Sequence, residues 1–158
     1  MVTNPTVRAL VIAIATAGGA GYAPVASGTA GSLVALPLVP WIARLRSESW
    51  VAGLGAVVVL VLVAVWAAGR AETIFGGKDH SRIVIDEVAG MAVAALFVPP
   101  TWAAAAAAFV AVRLFDILKP FPVGAIDRAG WGGAGVVGDD LVAGIYAGLV
   151  TRLALEVL

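Results

Sequence analysis

Cysteine is missing from this chain of 158 residues, histidine occurs once, and charged residues make up only 13% of it. Without cysteine there is no disulfide framework, no thiolate metal site and no thiol nucleophile. A lone histidine, His80, cannot supply the nitrogen-rich ligand set that zinc favours. It reads as a hydrogen-bonding or interfacial residue, not as a metal ligand. Neither sign of charge is in excess, because ten Lys and Arg are matched by ten Asp and Glu. That balance gives no electrostatic case for binding nucleic acid.

What is abundant is apolar. Hydrophobic residues reach 61% and the mean hydropathy is +1.02, against roughly 45–50% apolar and about 25% charged in soluble domains. The length suits one domain, 1–158. The clearest membrane-crossing candidate is 50–69, twenty uncharged residues ending at Arg70, enough to cross a hydrocarbon core of about 30 Å. Other apolar stretches (9–17, 33–43, 88–98, 102–112 and 141–151) each cover half to two thirds of a bilayer unless they recruit turns from their polar flanks. The expected fold is therefore all-α: a compact multi-helix integral membrane bundle with short, re-entrant-type helices. The N-terminal apolar run lacks a convincing cleavage site and is read as retained. Counting reversals from Pro99-Pro100 puts 21–32, 70–87 and 113–140 on one side. Six Lys and Arg accompany them, against Arg44, Arg46 and Arg152 opposite, so the positive-inside rule makes that side cytoplasmic.

The few acids gather in short blocks on that side. Carboxylates beside lipid-soluble helices are costly to hold, and they commonly bind a cation or handle a substrate. The first polar block, 21–32, is rich in small residues and reads as a flexible loop entering a helix near Leu33. It could cradle a phosphate with Thr29 and Ser32, or be a plain capping turn with glycines for close packing. In the second, 79–90, Asp86 lies four residues before Gly90 and beside Glu87. Those acids suit a metal, or simply an acidic first turn answering the helix dipole. In the third, 113–122, Arg113, Asp116 and Lys119 follow one another at intervals of three on one helix face before Pro120 stops it. This is either an internally neutralised stripe or a phosphoryl clamp, and Asp127-Arg128 follow in a glycine-rich connection. The fourth, 138–144, repeats the second, with Asp140 four residues before Gly144 at a helix entrance.

Oxygen ligands in this number select a hard cation, Mg²⁺ above all, and Mg²⁺ beside Lys and Arg suits phosphoryl transfer. Rival membrane chemistries lack their signatures. There is no Asp-Gly opening of a CDP-alcohol phosphotransferase, no histidine pair of a phosphatidate-phosphatase-type enzyme, no Asp-x-Asp of the haloacid dehalogenase type and no Walker loop. A different class, a small multi-span cation-binding carrier, also fits acids at helix ends.

Four ordered motifs carry a likeness over nearly the whole chain: Ser-Gly-Thr-x-Gly-Ser ending at Ser32, Ile-Val-Ile-Asp-Glu-Val-Ala-Gly ending at Gly90, Arg-Leu-Phe-Asp-Ile-Leu-Lys-Pro-Phe-Pro ending at Pro122 with Asp127, and Asp-Asp-Leu-Val-Ala-Gly ending at Gly144. Together they resemble the phosphatidylglycerophosphatase A family. The resemblance implies Mg²⁺-dependent removal of the terminal phosphate of phosphatidylglycerophosphate, giving phosphatidylglycerol, by a multi-pass protein of the bacterial cytoplasmic membrane with its site facing the cytoplasm. On that reading Asp86, Glu87, Asp139 and Asp140 hold one or two Mg²⁺ ions. Lys119, Arg113 and Arg128 clamp the phosphate, with Thr29 and Ser32 lining its other side. Asp116 or Asp127 orients a water, or one acid forms an acyl phosphate. The partner is a bilayer phospholipid, and the short helices and glycine-rich faces suit a homodimer. His80 and Ser81-Arg82 fall in a stretch that varies within the family.

Overall fold

The computed structural model describes residues 4–77, 80–124 and 133–157, and among them it is all-helical, with no strand. Helix α1 (Pro5–Ala15) starts where a proline sits at its head and Asn4 Oδ1 accepts the amides of Thr6 and Val7 at 2.9 and 3.4 Å. A 3₁₀ turn, Ala17–Tyr22, follows, with Ala17, Gly18 and Gly19 at positive φ. Helices α2 (Ser27–Ala35) and α3 (Leu38–Glu48) then make a helical segment of 22 residues broken near Pro37. The long α4 (Trp50–Phe75) is capped by Ser49 and stopped by Gly76 in the left-handed conformation. Short α5 (Ile85–Ala94), α6 (Trp102–Leu118), capped by Thr101, and the long α7 (Gly133–Val157) complete the order.

Every residue of α5 is buried. At ten residues it is about 15 Å long, too short to cross a bilayer, and it is surrounded by its neighbours instead of lipid, packing against α7, α4, α2, α3 and α6. Three other segments, Ser27–Glu48, Trp50–Phe75 and Gly133–Val157, are long and apolar enough to cross a membrane. Their outer faces stay apolar: Val59, Leu62 and Leu153 are all exposed, as a lipid-facing surface requires. This is a membrane protein. Trp50 and Trp102 open α4 and α6, and Trp41 lies on α3; all three are exposed. Trp50 and Trp102, at the heads of their helices, mark one rim of the bundle, as interfacial tryptophans do.

The opposite rim gathers the polar blocks. Val84 donates its amide to Ala15 O at 2.9 Å, tying the start of α5 to the end of α1, while Arg46 reaches Val98 O at the far rim. Among the described residues, the polar blocks thus meet at one rim of the bundle, as the count of reversals placed them. Two helix starts differ from expectation. The 21–32 block is not a loop up to Leu33, because α2 begins at Ser27; α7 begins at Gly133, so Asp139 and Asp140 lie almost two turns inside a helix, not at its entrance. Packing is the reason in each case. A Cβ on Gly31 would come within 2.7 Å of the Val84 side chain, and one on Gly133 within 2.5 Å of Val65 O. These glycines let helices touch backbone to backbone, which outweighs their poor helix propensity.

Candidate active site

The crossing of α5 and α7 brings two acidic blocks together. A Cβ on Gly90 would lie 2.8 Å from Asp140 O, and one on Gly144 would lie 2.3 Å from Gly90 O. No larger residue fits this contact. Since Asp86 precedes Gly90 by one helical turn and Asp140 precedes Gly144 by the same interval, the crossing sets the two carboxylates side by side.

One oxygen each from Asp86, Glu87 and Asp140 falls within a mutual distance of 4.8 Å. Asp86 and Asp140 expose only 6% and 4% of their surface, and Glu87 9%. Asp86 Oδ1, Glu87 Oε2 and Asp140 Oδ1 are all buried without a hydrogen-bond partner. Asp86, on the short buried α5, has its carboxyl pushed well above the usual range, first by burial and then by the neighbouring charges of Glu87 and Asp140. Three packed acids with orphaned oxygens can be eased by a proton or by a cation between them. An oxygen-only set of this kind fits a hard divalent cation and offers no nitrogen or sulfur to a softer one.

Cations line the edge of the cluster. Arg113, on the last turns of α6, stands 3.8 Å from Glu87 Oε1 and 3.1 Å from Asp116 Oδ2, and its Nε is buried without an acceptor. Lys119 closes α6 and lies 3.0 Å from Asp139 Oδ2. Lys119 has φ 42 and ψ 56, a left-handed conformation that costs a side-chain-bearing residue about 1 kcal/mol. A glycine would sit there more easily. The fourth acid expected among the metal ligands, Asp139, is thus held beside Lys119, and the close trio is Asp86, Glu87 and Asp140.

Of the phosphate-cradle residues, Ser32 is buried and donates its hydroxyl to Gly28 O at 3.1 Å within its own helix, while Thr29 is half-buried on the first turn of α2. Asp127 and Arg128 lie outside the described residues, as does Asp79. His80 stands apart from the acids: its Nδ1 accepts the Arg82 amide at 3.2 Å and its ring lies 5.0 Å from that of Phe75. Sequence reasoning missed the specific role of Gly28. A Cβ there would lie 2.1 Å from Glu87 Oε1 and 3.2 Å from an Arg113 nitrogen, so the first turn of α2 forms a wall of the site. The Ser-Gly-Thr motif was the available signal, but it does not reveal the partner.

Fold and site together define a helical membrane protein with a buried acidic cluster and two cations at one rim, equipment suited to phosphoryl groups. The chain belongs to the phosphatidylglycerophosphatase A family, whose pattern it matches over residues 13–155. It is an enzyme of the phosphatase class. A Bacteroides thetaiotaomicron protein provisionally named a phosphatidylinositol-3-phosphatase is 37% identical over 153 residues, 92% of this chain and 93% of that one. Escherichia coli phosphatidylglycerophosphatase A is 35% identical over 136 residues, 82% of this chain and 74% of its own. The Haemophilus influenzae protein of the same name is 42% identical over 76 residues, 48% of this chain and 47% of its own. No solved structure matches the chain.

Proposed function

We propose that this protein hydrolyses the terminal phosphomonoester of phosphatidylglycerophosphate in a Mg²⁺-dependent reaction at the cytoplasmic face of the bacterial inner membrane, releasing phosphatidylglycerol and inorganic phosphate. The observation that carries the reading is the trio of Asp86, Glu87 and Asp140, whose buried oxygens lack partners beside Arg113. Family membership supports the reaction class, and two relatives bear the name of this activity.

On this reading Asp86, Glu87 and Asp140 hold Mg²⁺, which supplies Lewis-acid neutralisation of the phosphoryl oxygens when bound. Arg113 and Lys119 bind and orient the terminal phosphate. Their own carboxylate partners, Asp116 and Asp139, keep both cations in place until substrate arrives. A water oxygen bonds to phosphorus as the glycerol C–O–P linkage breaks at phosphorus. The water proton passes to a carboxylate, for which Asp116 and Asp127 are the candidates, and from there to the glycerol oxygen, which leaves as a hydroxyl. The glycerol and acyl chains stay at the rim and in the bilayer, beside the apolar outer faces of α4 and α7.

The test is release of inorganic phosphate by purified protein in neutral detergent micelles. Phosphatidylglycerophosphate with Mg²⁺ is expected to turn over and EDTA to stop it. Phosphatidylinositol 3-phosphate, run in parallel, decides between the substrates named for the relatives; turnover of that lipid alone overturns the proposal. Turnover of neither leaves the cation-carrier alternative in command.

A further inference from the structure

Arg82 is a cation of the polar rim that the proposed chemistry does not use. It is exposed, four residues before Asp86, on the segment that leads into α5. Its guanidinium carbon lies 5.2 Å from the centre of the Tyr22 ring and 5.9 Å from that of Phe75, within cation–π range of both. The backbone under it is fixed as well. Ser27 Oγ donates to Ser81 O at 2.7 Å, the Arg82 amide donates to His80 Nδ1, and Gly21 packs directly on the Arg82 carbonyl, where a Cβ would collide.

Among the described residues no carboxylate pairs with Arg82, unlike Arg113 and Lys119 in the cluster and Arg44 and Arg152 on the outer surface. Contact with ring faces supplies a guanidinium with no hydrogen-bonding oxygen, so the N–H groups of Arg82 can still grip a phosphate through two hydrogen bonds. Position gives these groups their target. Ser27 holds the Arg82 segment, and the next residue, Gly28, forms the wall against Glu87. Arg82 therefore stands at the same rim as the acid trio, on the surface side. Tyr22, half exposed beside it, belongs to the interfacial zone where lipid head groups lie.

A phospholipid that carries a terminal phosphomonoester on a glycerol head group also carries a phosphodiester, one three-carbon bridge away. Resting on the reaction proposed above, we infer that Arg82, clamped by Tyr22 and Phe75, binds this phosphodiester and so selects lipids with two phosphates over simple phosphomonoesters. Arg82 is a specificity residue and takes no part in bond breaking.

Two measurements test it. In the first, Arg82→Gln is compared with wild type on a short-chain phosphatidylglycerophosphate and on glycerol 3-phosphate, which lacks the diester, both with Mg²⁺ in neutral detergent. KM for the lipid is expected to rise about tenfold, the loss of a charge-assisted pair, with kcat and the glycerol 3-phosphate kinetics unchanged. Arg82→Lys restores only part of the loss, because a point charge lacks the planar fork. Equal effects on both substrates, or no effect on either, overturn the inference while leaving the phosphatase reading intact. The second measurement needs no turnover: binding of dihexanoyl phosphatidylglycerol, which has the diester alone, by calorimetry below its micelle concentration. Arg82→Gln is expected to weaken it about tenfold and Tyr22→Leu by less. Binding that is unchanged in Arg82→Gln refutes the assignment even if the wild type releases no phosphate; binding of dihexanoyl phosphatidylcholine, which carries the same diester, is expected to weaken in parallel, and weakening of glycerol 3-phosphate binding by the same factor overturns the selectivity claimed here.

Discussion

Replacing Gly28 with alanine separates the site from the fold. A Cβ built on Gly28 lies 2.1 Å from Glu87 Oε1, where ordinary contact needs about 3.4 Å, so the carboxylate must retreat by more than about 1 Å. The obstructing atom is the far end of a flexible side chain, and rotation about its χ angles makes that retreat at little cost to folding. Alanine is also the better helix former, by up to about 1 kcal/mol, at a position in the first turn of α2. The stability of Gly28→Ala is therefore expected to stay within about 1 kcal/mol of wild type. Activity should not. Glu87 is one of three acids within 4.8 Å, and its Oε1 also faces Arg113, so on the proposed reading its displacement would loosen the cation site and shift a phosphate-binding group. Misplacement of this size at reacting groups costs about 10²-fold. The assay pairs phosphate release with thermal unfolding of the same micellar preparation. Wild-type turnover in a folded Gly28→Ala protein refutes the placement of Glu87 in the working site, and wholesale unfolding refutes the claim that the contact is soft.

Gly144→Ala meets backbone instead, 2.3 Å from Gly90 O, so α5 and α7 must separate; a stability loss of about 1–3 kcal/mol is expected in thermal unfolding, together with lost activity. Lys119→Gly relieves a left-handed residue at the end of α6 but takes the cation away from buried Asp139, so a lower melting temperature is expected together with phosphate release about 10²-fold lower. Asp140→Asn is expected to abolish the rise in melting temperature caused by Mg²⁺, whereas Asp139→Asn retains it and loses activity through Lys119. Equal loss of the Mg²⁺ shift in both returns Asp139 to the ligand set.

The helical class, the polar rim and the pairing of Asp86 with Gly90 and Asp140 with Gly144 were legible because apolar runs and helical periodicity are local properties. The beginnings of α2 and α7 were not. Ser27 to Ser32 and Gly133 to Gly138 are rich in glycine, which locally argues for loops, and only the neighbouring Val84, Val65 and Gly69 show why glycine is required there. The sorting of Asp139 from Asp140 was equally invisible. Adjacent residues on a helix point about 100° apart, yet which of the two faces α5 depends on the rotation of α7 about its axis, and that is set by the Gly144 contact. Nor could spacing show that Tyr22, Phe75 and Arg82 meet, since they come from three separate segments.

Charge at the polar rim completes the physical case. With every carboxyl ionised, Asp86, Glu87, Asp116, Asp139 and Asp140 would be opposed only by Arg113 and Lys119 among the described residues of the cluster, three negative charges from neutrality. Isolated charges in a low-dielectric interior cost several kcal/mol each, and apolar residues of similar size at Asp86 or Asp140 would fold more easily. The arrangement makes sense if folding stability has been traded for affinity: the α5–α7 crossing holds the carboxylates too close to be comfortable alone, so a divalent cation relieves the repulsion when it binds. The glycine contact and the acidic trio are then one device. Widening the crossing would ease the repulsion and weaken the grip together, which is why Gly144→Ala and Asp140→Asn should lose the Mg²⁺ response by different routes, the first with a fall in stability and the second without one.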